Sequence, residues 1–165
     1  MRRAWIAPGI ALTVATAAGI VFFTVPENGG LKIGAVPPGF TLADLETGRE
    51  LYAQSCAACH GVNLEGQPDW QIIGPDGRLP APPHNVEGHT WHHADTMLFE
   101  YVKIGGQEYL TGQGIEFESG MPSFGDQLSD VEIAKILAFI KSTWPEQERK
   151  AQADRTRAEL ELEDN

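Results

Sequence analysis

Cys56-Ala57-Ala58-Cys59-His60 brings two thiols and an imidazole together within one short stretch of chain. On a helix, side chains three residues apart lie on the same side. The two sulfurs can therefore add as thioethers to the vinyl groups of a haem while His60 reaches the iron from the same face. Ala57 and Ala58 are small enough to let a porphyrin edge approach. Two other chemistries use paired thiols. A zinc site needs two further ligands, usually from a second Cys or His pair, and the chain has only 2 cysteines. A thioredoxin-like redox pair needs a preceding strand in a βαβ unit, whereas an amphipathic helical pattern precedes Cys56. The spacing predicts one haem c, attached through two thioethers.

The elements that must position this motif are helical. Leu45, Gly48, Leu51, Tyr52 and Ser55 share one face of a first helix that runs into Cys56. A second begins near Ala94-Asp95, carries Met97, Leu98, Tyr101 and Val102 on adjoining turns, and ends at Gly105-Gly106, where glycine suits a left-handed cap. The third opens on the capping box Ser129-Asp130-Val131-Glu132, turns Val131, Ala134, Ile136, Leu137 and Ile140 toward the core, and stops at Trp144-Pro145. No stretch sustains a two-residue alternation, so the expectation is all-α. A domain of few helices and long loops is thin on core, and a cofactor has to fill its middle.

The 165 residues suffice for one domain with appendages. With 12 basic and 23 acidic side chains the net charge is -11, which repels a phosphate backbone and makes nucleic acid and anionic lipid poor partners. Arg2 and Arg3 precede an uncharged stretch from Ala4 to Val25, long enough at about 33 Å to span a hydrocarbon core of roughly 30 Å. Residues 1–25 are thus expected to be a single-pass anchor in a bacterial inner membrane, with the remainder on the periplasmic side by the positive-inside bias. The competing reading is a cleaved signal peptide, with a small-residue site at Ala15-Thr16-Ala17, but this apolar run exceeds the usual signal length. Residues 26–39, rich in Gly and Pro, read as a tether, 40–145 as the domain, and 146–165 as a charged, solvated tail, helical in propensity but with little to bury.

Gly48-Arg49-Glu50-Leu51-Tyr52 leading into Cys56-x-x-Cys59-His60-Gly61, then Gly120-Met121-Pro122, Leu128-Ser129-Asp130 and Ile136-Leu137-Ala138-Phe139-Ile140, resembles a class I monohaem cytochrome c over roughly residues 40–145. The segments Ala81-Pro82-Pro83-His84 and His89-Thr90-Trp91-His92-His93 resemble those of a bacterial membrane-tethered subgroup. The resemblance implies that the first and last helices cross closely at Gly48, with Tyr52 packing on Ile136 and Phe139. It also implies Met121 as the distal iron ligand opposite His60, a pairing that raises the reduction potential and closes the iron. The alternatives are that Met121 merely packs against the haem, or that Met97 takes its place, although Met97 falls in the apolar pattern of the second helix. A proline carbonyl accepting the His60 ring N–H is implied as well; Pro82 or Pro83 fits, and Pro75 less so because it lies in a turn.

The function implied is one-electron shuttling between redox proteins that present a basic docking face, without enzymatic activity of its own. The exported part, without Arg2 and Arg3, carries about -13. Two rivals remain. One is a sensing or peroxide-, NO- or CO-reactive haem protein lacking the Met121 bond, and the other is a fixed cytochrome subunit of a respiratory or dehydrogenase complex. His84, His89, His92 and His93 also offer a second metal site or a replacement iron ligand. The plainer reading has them capping a helix and stacking on Trp91.

Overall fold

The computed structural model describes residues 35–163. The expected anchor, and the tether up to residue 34, lie outside the described residues. Among those described there is no strand, and no helix is long and apolar enough to cross a membrane.

Thr41 opens α1 (Leu42–Ser55) with a capping box: its hydroxyl accepts the Asp44 N–H at 3.2 Å and the Asp44 carboxylate accepts the Thr41 N–H at 3.0 Å. Of the face the periodicity predicts, Leu45, Gly48 and Tyr52 are buried, and Leu51 and Ser55 are partly buried. α5 (Asp130–Ser142) begins with the expected Ser129/Glu132 box. Its inward face differs from the expectation at one end. Val131 is 63% exposed, Ala134 is only partly buried, and Ile133, Ile136, Leu137, Phe139 and Ile140 form the buried stripe. Two residues of helix turn a side chain by about 200°, so a stripe through Ile133, Ile136 and Ile140 leaves Val131 on the outer side.

α1 and α5 are the principal helix pair. A Cβ at Gly48 would fall on the carbonyl oxygen of Lys135, so only glycine lets the backbones meet here. Tyr52 packs on Phe139 with ring centroids 5.7 Å apart, and an Asp44–Lys135 ion pair at 2.9 Å ties the helices at the rim. Burying each large apolar side chain along this seam is worth about 2 kcal/mol.

The motif helix α2 (Ala57–His60) continues from α1. After a long loop and a short 3₁₀ turn over Thr90–His92 come α3 (Asp95–Ile104) and α4 (Gly106–Gly112). α3 has the expected boundaries; α4 was not anticipated, because the paired glycines at 105 and 106 read as a stop. Gly105, at φ +88, turns the chain and α4 starts directly beyond it.

Beyond Pro145 the chain forms α6 (Glu146–Glu163). Most of its side chains are exposed, as a solvated tail would have them, but one face docks on the 3₁₀ turn. Gln152 is 0% exposed, and its amide donates to Asp95 Oδ1 at 2.7 Å and to the His93 carbonyl at 3.2 Å. Thr156 Oγ1 accepts the Asp95 N–H at 3.1 Å, supplying from another helix the cap that Ala94 cannot give α3. Lys141 of α5 completes this polar knot, 2.7 Å from Asp95.

Candidate haem site

Cys56 is buried at the α1–α2 junction and Cys59 is exposed, both as free thiols. Burial pushes the Cys56 thiol up to about 11, reinforced by the neighbouring Cys59. His60, one residue on, is buried with its ring 2.9 Å (Nδ1) from the Pro82 carbonyl oxygen. With Nδ1–H donating there, Nε2 carries the free lone pair that a metal would use. Burial pulls His60 below the ordinary imidazole range, against the opposing pull of the Pro82 carbonyl, so the ring is neutral at pH 7.

The loop from Gly61 to His89 brings Pro82 back to this position. Leu64 is fully buried at φ +66, a left-handed conformation that costs a branched side chain about 1–2 kcal/mol and that its packing in the core offsets. Its carbonyl accepts the His84 N–H at 2.9 Å, while the Gly66 N–H donates to the His60 carbonyl at 2.8 Å and the Gln67 N–H to Ala81 at 2.9 Å. Pro83 instead receives the Thr90 hydroxyl at 3.4 Å, and Pro75 sits in a turn closed by Gly74 and Arg78. Of the three prolines it is Pro82 that meets His60.

The His84 ring stacks on His60 with centroids 4.0 Å apart, and its carbonyl accepts the Trp144 indole N–H at 2.7 Å. Burial, then the neighbouring His60 and His89, holds His84 well below the ordinary range. No local pattern announces this stacking, because it depends on the turn at Leu64. Of the other histidines, His89 stacks on Trp70 and meets the His93 ring edge-on with centroids 5.2 Å apart, and His92 lies against Trp91. Among the described residues no group of three or more His, Cys, Asp or Glu is arranged to hold a metal ion.

Met121 lies in the segment between α4 and α5, partly buried against the apolar cluster that also contains Cys56 and Ala57. Its carbonyl accepts the Gly106 N–H at 3.0 Å and its N–H donates to Ser119 Oγ at 3.2 Å. Leu51, Trp91, Leu98, Phe99 and Val102 pack partly buried against the same cluster. Despite its apolar sequence, α3 has no buried residue; its Leu98, Phe99 and Val102 are only partly buried against the cluster that contains Cys56. The buried His84 Nδ1 and Trp91 Nε1 have no protein partner. Two thiols, a neutral imidazole, a thioether and an apolar cluster suit a covalently bound porphyrin.

An all-helical domain built around a C-x-x-C-H turn is a haem-binding domain. The family model for cytochrome c matches residues 45–144, and the chain belongs to that family as a class I monohaem cytochrome c with covalently bound haem c and an electron-carrying role. The gluconate 2-dehydrogenase cytochrome c subunit of Pantoea cypripedii is 32% identical over 105 residues, 61% of this chain and 21% of that protein. A nitrite reductase of Stutzerimonas stutzeri is 26% identical over 121 residues, 69% of this chain and 19% of that protein. The cytochrome bc1 complex cytochrome c subunit of Mycobacterium tuberculosis (strain ATCC 25618 / H37Rv) is 40% identical over 60 residues, 36% of this chain and 19% of that protein. The chain thus spans about a fifth of the length of these relatives. No solved structure matches it significantly.

Proposed function

We propose that this cytochrome is a one-electron carrier, not itself an enzyme, tethered to the bacterial inner membrane through residues 1–25 and facing the periplasm, in which Cys56 and Cys59 would hold the haem and His60 and Met121 would ligate its iron. The observation that carries the reading is that Met121 packs against the same apolar cluster as Cys56 while both of its backbone polar groups are hydrogen-bonded. Haem, when bound, supplies the one-electron couple of its iron. The chain's own work is to keep that site closed and still: Pro82 orients His60, the contacts of Met121 fix its loop, and Leu98, Phe99 and Val102 of α3 pack against the apolar cluster that contains Cys56. Neither ligand residue has to move for an electron to pass. Partners are redox proteins with a basic face, so turnover with them falls as salt rises.

The test is the spectrum of the oxidised, haem-loaded protein. A weak near-infrared charge-transfer band that disappears in Met121→Ala supports the reading. A high-spin spectrum overturns it in favour of a ligand-binding haem protein, and a bis-histidine spectrum overturns it in favour of an iron ligand from the His84 to His93 cluster. A second reading, a fixed subunit of a larger redox complex, draws on the dehydrogenase and bc1 subunits among its relatives. Co-migration with a dehydrogenase or reductase from solubilised membranes distinguishes it from a free shuttle.

A further inference from the structure

We infer that Ser119 and Tyr101 are positioning residues for Met121, forming a strut that sets how readily an outside ligand can displace its thioether; the inference rests on the proposed Met121 ligation. Met121 belongs to no helix, so its place is decided by what grips the loop on either side.

On the C-terminal side the grip is backbone. The Phe124 and Gly125 N–H groups donate to the Val102 and Lys103 carbonyls at 3.1 and 2.9 Å, using acceptors that the last turn of α3 leaves open. On the N-terminal side the grip runs through one side chain. Ser119 Oγ accepts the Met121 N–H at 3.2 Å and lies 2.9 Å from the Tyr101 hydroxyl of α3. A serine hydroxyl has one proton to give and two lone pairs to fill, so it can serve both neighbours at once. The Ser119 N–H donates to Gln107 Oε1 of α4 at 3.0 Å, which fixes the serine itself. Gly106 supplies the room: a Cβ there would collide with Ser119 Oγ and lie 2.5 Å from the Tyr101 hydroxyl. The strut therefore links Met121 to α3 through two partly buried hydrogen bonds, where loss of a partner is felt more than at an exposed site, and to α4 through an exposed one.

The experiment titrates imidazole against the ferric, haem-loaded full chain and follows the near-infrared band. Loss of one hydrogen bond of ordinary net strength corresponds to roughly a five-fold change in such an equilibrium. Ser119→Ala is expected to bind imidazole about five-fold tighter, Tyr101→Phe to shift in the same direction by less, and Ser119→Thr, which keeps the hydroxyl, to return close to the unmutated value. Thr156→Ala, which loosens the distant cap on α3, is the control for general destabilisation, expected to lower the melting temperature and leave imidazole affinity unchanged. Unaltered affinity in Ser119→Ala, or equal tightening in Thr156→Ala, overturns the inference. Absence of the band from the unmutated protein removes the Met121 reading and the inference with it, so the two failures are told apart by which protein shows them.

Discussion

The ring N–H of His60 donates to the carbonyl oxygen of Pro82, 22 positions further along the chain, at 2.9 Å. That bond sets the tautomer and raises the basicity of the lone pair on Nε2. Its geometry depends on Gly66, at φ +70, where an added Cβ would lie 2.5 Å from the Pro83 nitrogen and 2.7 Å from the Pro82 carbonyl carbon.

Gly66→Ala is therefore expected to push the Pro82–Pro83 segment away from His60. The positive φ and the clash together should cost about 2 kcal/mol of stability. The reduction potential should rise, because a less basic imidazole stabilises ferric iron less. Potentiometric titration beside thermal unfolding checks both; a lower melting temperature with an unchanged potential would show that the Pro82 bond does not tune the ligand.

Much of this frame is legible in the chain itself. The C-x-x-C-H spacing, the α1 face through Leu45 and Tyr52, and the Ser129/Glu132 box are local patterns, and each forms where periodicity and capping place it. Pro82 could not be separated from Pro83, because the choice depends on the left-handed turn at Leu64, a residue type that seldom adopts it. The docking of α6 was illegible for a related reason. Its anchor is a buried glutamine amide and a threonine hydroxyl, so no apolar stripe announces it. Ser119 is equally silent, since a serine in a Gly-flanked loop reads as solvated until Tyr101 is brought beside it.

Stability should fall with acid in two separate windows. Burial, followed by neighbouring imidazoles, lowers His89 and His93 from 6.5, and Arg155 adds to the effect on His93. Groups depressed in the fold take up protons more readily when unfolded, so their contribution is complete above about pH 6.5 and declines below it. Asp44, hydrogen-bonded first by Lys135 and then by Thr41, is lowered from 3.8 to about 2, and its contribution is lost as pH falls through that lower range. Melting temperatures measured from pH 8 to pH 2 should show both declines. His93→Gln should flatten the upper one and Asp44→Asn the lower; a His93→Gln profile superimposable on the unmutated one between pH 7 and 5 would refute the first assignment.

The closest helix approach gives the sharpest test of the fold. α1 and α5 meet at Gly48 with no room for a methyl group, since the added carbon would lie 2.1 Å from the Lys135 carbonyl oxygen and 3.1 Å from Phe139 Cβ. A flexible side chain could rotate away from such a clash, but a helix carbonyl cannot move without its helix. Gly48→Ala should therefore gain the usual helix propensity of about 1 kcal/mol and still be destabilised overall, by roughly 2 kcal/mol, because the two helices must separate along the whole seam. For a domain of this size the melting temperature should drop by roughly 10 °C. Gly112→Ala, where nothing lies within 4 Å of the added carbon, is the matched comparison and should leave stability unchanged or slightly improved. Equal melting temperatures for Gly48→Ala and the unmutated protein would mean that the α1–α5 crossing is looser than described.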